Sequence, residues 1–164
     1  MASKYIWALD ISMSRTGVAI FDESGELVKV TSIETKSKDK AQVRLEHIAR
    51  NLVYLDIDHP CEILVMERGF SRFNLATQAL FRVHGVVNYL FWTKEQIYYP
   101  PKVIKQSLVG GKATKQEIYD WVRRRFPETV PANDDESDAI AIGCCYFNKR
   151  KEDVEHERTA DISG

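Results

Sequence analysis

The sequence predicts an α/β protein in which helices cover both faces of one five-stranded mixed sheet. The first part of the chain holds three short apolar segments separated by turn residues, a pattern that indicates an antiparallel meander. The second part alternates between helical and strand periodicity, which indicates parallel strands joined by helices. With 164 residues, 44% of them hydrophobic, the chain is long enough for one domain with a large core.

The opening meander is predicted from three strands. Residues 5–11 and 16–21 are rich in aromatic and aliphatic side chains, and residues 27–34 alternate between apolar and polar side chains. A turn that contains Gly25 separates the second strand from the third.

The middle of the chain is predicted to alternate between helices and strands. Residues 41–55 and 74–92 carry apolar side chains at helical spacing, and Pro60 stops the first of these helices from continuing. The unbroken apolar run at 62–67 is typical of a central strand that is covered on both faces. A short strand at 96–99 stops at two prolines.

Three helices close the predicted domain. A proline at the first position suits a helix at 101–108, and helices at 115–126 and 135–147 follow. We therefore assign residues 1–147 to a single domain. Residues 148–164 are charged and have almost no apolar side chains, so we expect a disordered tail there.

Charge, cysteines and the absence of a long apolar run limit the class of protein. The formal net charge of −1 gives no overall indication of nucleic-acid binding. Cys61, Cys144 and Cys145 lie in apolar stretches without CxxC spacing, which indicates free thiols in a reducing compartment. No signal peptide and no run of about 18 apolar residues is found, so we expect a soluble cytoplasmic protein.

Two of the predicted strands end on an acid. Asp10 ends the first strand, and Glu67 ends the apolar fourth strand. Taken alone, each acid could equally well mark a strand end that faces solvent or a functional site. If the two strands are neighbours, their carboxylates converge.

The last predicted helix begins with further acids. Acids in a first helical turn commonly cap free N–H groups and suit the helix dipole. Asp135 and Asp138, however, are spaced i, i+3 and project from one face, which the following apolar run brings towards the sheet. Beside Asp10 and Glu67 they would form a repelling cluster that hard cations such as Mg²⁺ or Mn²⁺ relieve. Two such ions, about 4 Å apart, can support phosphodiester cleavage.

Four segments resemble, in order and spacing, the signature segments of RuvC-type Holliday-junction resolvases. The segments are ALDISMSRTGVAIFD, ILVMERGF, PPKVIKQSLVGGKATKQEI and DDESDAIAIG. The resemblance spans about positions 5–147. It implies an RNase H-like fold, a homodimer, and dependence on Mg²⁺ or Mn²⁺. It also implies nicks in two like-polarity strands of a four-way DNA junction, which leave 5′-phosphate and 3′-hydroxyl ends.

The resemblance also assigns roles to residues. It implies four catalytic, metal-binding carboxylates: Asp10, Glu67, Asp135 and Asp138. It gives no role to Asp134 or Glu136. Family members usually have Asp-Pro-Gly at the first acid, whereas this chain has Asp-Ile-Ser at 10–12 and retains Gly17. The departure predicts a loop of different shape. It fits a divergent relative of the kind that some phages encode, and a phage-encoded protein would act in the host cytoplasm.

A basic stretch is predicted to bind DNA. Residues 102–125 hold seven basic residues against two acids, a bias that is often just a solvated face but beside a metal site favours a phosphate track. The resemblance matches Lys105 and Lys115 to basic residues near the family's active site, and Lys112 lies in the same loop. The glycines at 110–111 let backbone approach phosphates closely.

The loop after the second strand-end acid is predicted to read the junction. The family has an aromatic residue here that wedges into unpaired bases, which implies this role for Phe70, with Phe73 as the alternative. Arg68 and Arg72 are predicted to contact phosphates. A loop phenylalanine more often folds back into the core, so that interpretation stays open.

The helix at 74–92 is predicted to form the homodimer. Its apolar stripe is by itself typical of a core helix, but the family dimerises through this helix, and Gly85 permits close helix approach.

Other functions remain open from the residues. An RNase H-like nuclease that cuts flaps, other branched DNA or RNA–DNA hybrids needs the same carboxylates. An actin-like ATP-binding module also begins with an acid and a glycine seven residues later, but it repeats its fold in a longer chain, and no second copy is found here. The presence of all four acids argues against an inactive DNA-binding relative.

Overall fold

The computed structural model describes residues 4–69 and 75–162, with side chains through Arg158. The strands are β1 Tyr5–Asp10, β2 Arg15–Phe21, β3 Leu27–Glu34, β4 Cys61–Glu67 and β5 Glu95–Tyr99. The helices are α1 Ala41–Asp58, α2 Leu75–Leu90, α3 Pro101–Leu108, α4 Lys115–Arg125 and α5 Asp134–Ile162.

The five strands form one mixed sheet in the order β3-β2-β1-β4-β5. The β1–β2 and β2–β3 pairs are antiparallel, and the β1–β4 and β4–β5 pairs are parallel. The predicted α/β class, with an antiparallel meander followed by parallel strands, is therefore confirmed. β1 is the central strand of the sheet and pairs in parallel with β4, so the carboxyl ends of these two strands meet at one edge.

Helices bury two separate cores, one on each face of the sheet. In β1, Ile6 and Ala8 face the core that α3, α4 and α5 cover, whereas Trp7 and Leu9 face the core that α1 and α2 cover. Trp7 is fully buried, and its indole N–H donates to the carbonyl of His59 at 3.0 Å. Each such buried apolar side chain contributes about 1.5–3 kcal/mol, so the central strands are held firmly from both sides.

The first half of α5 packs closely against β1 and β2. A Cβ atom placed on Gly143 would lie 2.2 Å from the ring of Phe21, so only glycine allows this approach. Close packing at this point fixes the helix whose first turn carries two of the predicted acids.

The predicted end of the last helix at Phe147 is wrong, whereas the expected disorder of residues 148–164 stays a prediction. In the structure α5 continues to Ile162. Its buried first half nucleates the helix, and the following residues extend it at little cost because Lys, Arg and Glu are good helix formers. The Lys149 ammonium also pairs with Glu152 at 2.7 Å. The assignment of 1–147 to a separate domain stays a prediction.

Two further expectations concern the cysteines and membranes. All three cysteines are free and buried. Within residues 4–69 and 75–162, the structure contains no helix that is both long and apolar enough to span a bilayer.

Candidate active site

The parallel pairing of β1 and β4 brings two acids to the same edge of the sheet. Leu9 is opposite Met66 in this pair, and the next residues along the two strands are Asp10 and Glu67. Both acids line a cleft of about 350 Å³. The other charged residues that line this cleft are Lys105, Lys115, Asp135 and Asp138.

Gly17 lets the first turn of α5 reach these strand ends. It lies opposite Asp10 in the β1–β2 pair, and a Cβ atom on it would stand 2.0 Å from the carbonyl oxygen of Asp135. Any larger residue would therefore push the helix away from the sheet. The structure thus brings together all four predicted carboxylates, and Gly17 is the backbone contact that makes this possible.

The start of α5 is held by a capping network that the sequence analysis missed. The side chain of Asn133 accepts a hydrogen bond from the backbone N–H of Glu136 at 3.0 Å. The buried Glu136 carboxylate accepts from the backbone N–H of Ala132 at 2.7 Å and from the Ser32 hydroxyl at 3.1 Å. An Asn followed three residues later by Glu resembles a capping box, so the signal was present in the sequence. Glu136 therefore positions the helix.

The loop after Asp10 is stabilised by hydrogen bonds among its own residues. The Ser12 hydroxyl donates to the carbonyl of Arg15 at 2.8 Å and accepts from its N–H at 3.0 Å. The Thr16 hydroxyl donates to the carbonyl of Ser12 at 2.8 Å. From α1, Arg44 donates to the carbonyl of Met13 at 3.2 Å. A glycine at position 12 would lack the Ser12 contacts.

The two strand-end acids have raised pKa values. Burial is the largest cause for Asp10 and raises its pKa to about 8, and the negative charges of Asp138, Glu67 and Asp135 add to the shift. The pKa of Glu67 is also raised, first by burial and then by Asp138, against the opposing charges of Lys105 and Lys115. With all four acids ionised, the cleft would carry more negative charge than its two lysines balance, and the raised pKa values reflect this repulsion together with burial.

Asp138 is paired with a lysine but only loosely. The Lys115 ammonium lies 3.6 Å from its carboxylate, too far for a hydrogen bond, and the lysine side chain is 76% exposed. Asp138 raises the pKa of Lys115, as expected for an ion pair. The pKa of Asp138 is nevertheless raised, because burial outweighs the effect of a cation that lies mostly in solvent.

Asp135 has a closer partner in Arg15, whose Nε atom lies 2.8 Å from Oδ2 of the carboxylate. In the described part of the chain, no three His, Cys, Asp or Glu side chains are close enough to hold one ion as they stand. The donor set still fits a hard divalent cation, because it consists of carboxylate oxygens whose negative charges would repel one another without a cation.

The residues predicted to bind DNA divide into three groups. Lys105 and Lys115 line the cleft. Lys112 is exposed in the turn before α4 and is not among the residues that line the cleft, and Arg68 is exposed directly after β4. Phe70, Arg72 and the alternative Phe73 lie outside the described residues, so their roles stay predictions.

Comparison with known proteins places this geometry in a family. Residues 6–146, which include all four acids, match the family described as "Crossover junction endodeoxyribonuclease RuvC". The chain belongs to the RuvC family. A RuvC of Thermotoga maritima is 31% identical over 96% of this chain and 99% of its own length. A RuvC of Synechococcus sp. (strain WH7803) is 29% identical over 88% of this chain and 99% of its own length.

Solved structures agree with the RuvC fold. The structure of Thermus thermophilus RuvC has a TM-score of 0.78 at 20% identity and covers 90% of this chain and 96% of its own. The same protein "in complex with Holliday junction substrate" also has a TM-score of 0.78, at 17% identity, with the same coverage. The predicted RNase H-like architecture is therefore confirmed.

Proposed function

We propose that this chain is a metal-dependent endonuclease that resolves four-way DNA junctions by paired symmetric nicks, leaving 5′-phosphate and 3′-hydroxyl ends. The proposal rests on one observation above all: β1, β4 and α5 converge so that four carboxylates share one cleft. The relatives are named crossover junction endodeoxyribonucleases, and the Thermus protein is described with a Holliday junction. A nuclease that acts on DNA junctions is consistent with a cleft that contains four carboxylates.

Asp10, Glu67, Asp135 and Asp138 would hold Mg²⁺ or Mn²⁺, with two ions per site. Bound cations of this kind stabilise charge on the scissile phosphate and acidify an attacking water. The protein's own contribution is placement: the strand ends hold two acids rigidly, and the capped first turn of α5 holds the other two. Asp10 must give up its proton to serve as a ligand, since burial favours the neutral acid.

Lys105 and Lys115 would bind the DNA backbone beside the acids. Lys105 on α3 and Lys115 on α4 line the same cleft as the four acids. Their charges oppose the raised pKa of Glu67, so they also moderate the negative charge that a phosphate would meet. Each lysine that neutralises a phosphate adds salt-dependent affinity.

We also propose that the chain forms a homodimer through α2. Phe81, Gly85 and Tyr89 are spaced four residues apart on one helical stripe, and Trp92 continues it. Tyr89 is 78% exposed and Trp92 76% exposed, and a Cβ atom on Gly85 would meet nothing within 4 Å. An exposed aromatic stripe with room at its centre suits a second copy related by a two-fold axis.

The dimer is tested by sedimentation of the wild-type chain and of Tyr89→Glu. We expect a dimer for the wild type and a folded monomer for the variant, since a charge on the stripe opposes its burial. A wild-type monomer would remove this part of the proposal.

Cleavage of a synthetic four-way junction with Mg²⁺, mapping cuts on all four strands, tests the main proposal. We expect symmetric cuts in one pair of like-polarity strands, and ends that DNA ligase seals. Flap, duplex and RNA–DNA hybrid substrates are run beside the junction, with Asp10→Asn as the inactive control. Preferred cutting of flaps or hybrids would replace the proposal with the other RNase H-like nuclease activity.

A further inference from the structure

Arg15 makes the shortest contact of a cation with any of the four acids in the described residues. Its Nε atom lies 2.8 Å from Oδ2 of Asp135. This Nε is buried and has no hydrogen-bond partner within the described residues, so its N–H is not aligned on the carboxylate. The contact is therefore an electrostatic interaction between the guanidinium and the carboxylate, without a well-aligned hydrogen bond.

Both ends of this pair are fixed by backbone. The N–H and carbonyl of Arg15 are bound by the Ser12 hydroxyl, and Arg15 is paired with Glu34 across the sheet. Two residues later, Gly17 abuts the carbonyl of Asp135. The Lys115–Asp138 contact differs, since it is longer and its lysine is 76% exposed, against 40% for the side chain of Arg15.

A divalent cation that binds Asp135 must therefore compete with a guanidinium that is already in place. We propose that Arg15 is a positioning residue that holds Asp135 as its ion-pair partner until the cation binds, and so lowers the affinity of the site for that cation. The proposal deepens the function above and rests on it. Arginine stays charged at all working pH values, so the competition does not depend on its titration.

Calorimetric titration of Mn²⁺ into the protein without DNA measures the effect. We expect Arg15→Met, which keeps much of the side-chain volume and removes the charge, to bind Mn²⁺ up to about fivefold more tightly than wild type, the range of a partly exposed ion pair. Arg15→Lys retains a cation and should stay close to wild type. Lys29→Met makes the same change of charge at an exposed position on β3 and should leave the affinity unchanged.

The wild-type protein gives a second measurement that needs no variant to fold. Mg²⁺ is titrated while the arginine Nε–H resonances are followed by NMR, with the Arg15 signal assigned from its loss in Arg15→Lys. We expect this signal to shift and to exchange faster with solvent as Mg²⁺ releases the guanidinium from Asp135.

The outcomes separate this inference from the proposed function. If wild type binds Mn²⁺ but Arg15→Met binds it equally or more weakly, or if Mg²⁺ leaves the Arg15 signal unchanged, Arg15 is not a competitor and the metal site stands. If wild type binds neither ion, the metal site itself fails, and the role of Arg15 with it. Tighter Mn²⁺ binding by Arg15→Met together with a shifted Arg15 signal supports the inference.

Discussion

The two acids at the strand ends and the two acids on α5 share a cleft but differ in how their charge is balanced. Among the described residues, no cation lies within ion-pair distance of Asp10 or Glu67. Asp135 and Asp138 are each paired with one. The pKa of Asp10 rises to about 8 as a result of burial and of its acidic neighbours.

The backbone environments of the two pairs of acids also differ. A strand end at the centre of a covered sheet offers no compensating charge, whereas the first turn of a helix offers free N–H groups and the positive end of the dipole. Ionising Asp10 or Glu67 in the metal-free protein is therefore unfavourable, because both carboxylates are buried without a paired cation. The α5 acids are held in place by their own partners. Removing the charge of Asp10 should stabilise the metal-free protein, whereas removing the charge of Asp135 should not, although we expect both acids to be needed for cleavage.

The largest expected effect is a loss of cleavage, and it should be the same for all four acids. Asp10→Asn, Glu67→Gln, Asp135→Asn and Asp138→Asn should each reduce junction cleavage by at least about a hundredfold, since a first-sphere ligand matters more than the partners behind it. Junction binding should persist, because phosphate contacts dominate affinity. The rate is measured on a labelled four-way junction.

Asp134→Asn is the matched control, since Asp134 is exposed in the same helical turn and does not line the cleft. It should cut at the wild-type rate. Near wild-type cutting by any of the other four would show that its acid is not a ligand.

Gly17→Ala should separate the helix acids from the strand acids. Its Cβ would stand 2.0 Å from the carbonyl oxygen of Asp135, so α5 has to move. We expect a loss of about 1–3 kcal/mol of stability, as for overpacking elsewhere, and a loss of cleavage. Chemical denaturation and junction cutting are measured on the same preparation. Gly110→Ala, at a glycine whose added Cβ meets nothing within 4 Å, should keep its stability. Full stability of Gly17→Ala would show that the contact is not tight.

Asp10→Asn should stabilise the metal-free protein, and more so as pH rises. In the folded chain Asp10 keeps its proton up to about pH 8, whereas the unfolded chain releases it near the ordinary value of 3.8. The contribution of Asp10 to stability is therefore greatest below pH 4 and falls as pH rises to about 8. At pH 8 in EDTA we expect the variant to gain at least about 1 kcal/mol, or about 2–4 °C in Tm.

Asp135→Asn provides the contrast, since it leaves Arg15 without its partner. It should show no such gain at pH 8. If both variants were stabilised alike, the distinction between the two kinds of acid would be wrong.

The smallest effects concern the lysines beside the acids. Lys105→Ala and Lys115→Ala should each weaken DNA binding and reduce the slope of log affinity against log salt by about one unit. Lys112→Ala, outside the cleft, should change the slope less. Equal slopes for all three variants would show that the cleft position of a lysine does not decide its contact with phosphate.

Local patterns made most of the fold predictable. The alternation of apolar residues in β3, the continuous apolar run of β4 and the proline that begins α3 each depend on near neighbours in the chain, and the structure follows them. The acids that follow β1 and β4 were visible for the same reason. Where local pattern was incomplete, prediction failed: α5 continues past Phe147 because its nucleus is buried against the sheet, which the composition of the exposed half does not reveal.

The sequence by itself determined which residue types end each strand and begin α5, since periodicity and capping act within a few residues. Only the tertiary structure decided how their charges are balanced. Arg15 meets Asp135 across 120 positions of the chain, and Gly17 admits the helix backbone at that point. Burial gives Asp10 its raised pKa, while the exposed stripe around Gly85 is left free for another surface. These are distances and solvent exposures, and they exist only once the sheet and α5 have packed together.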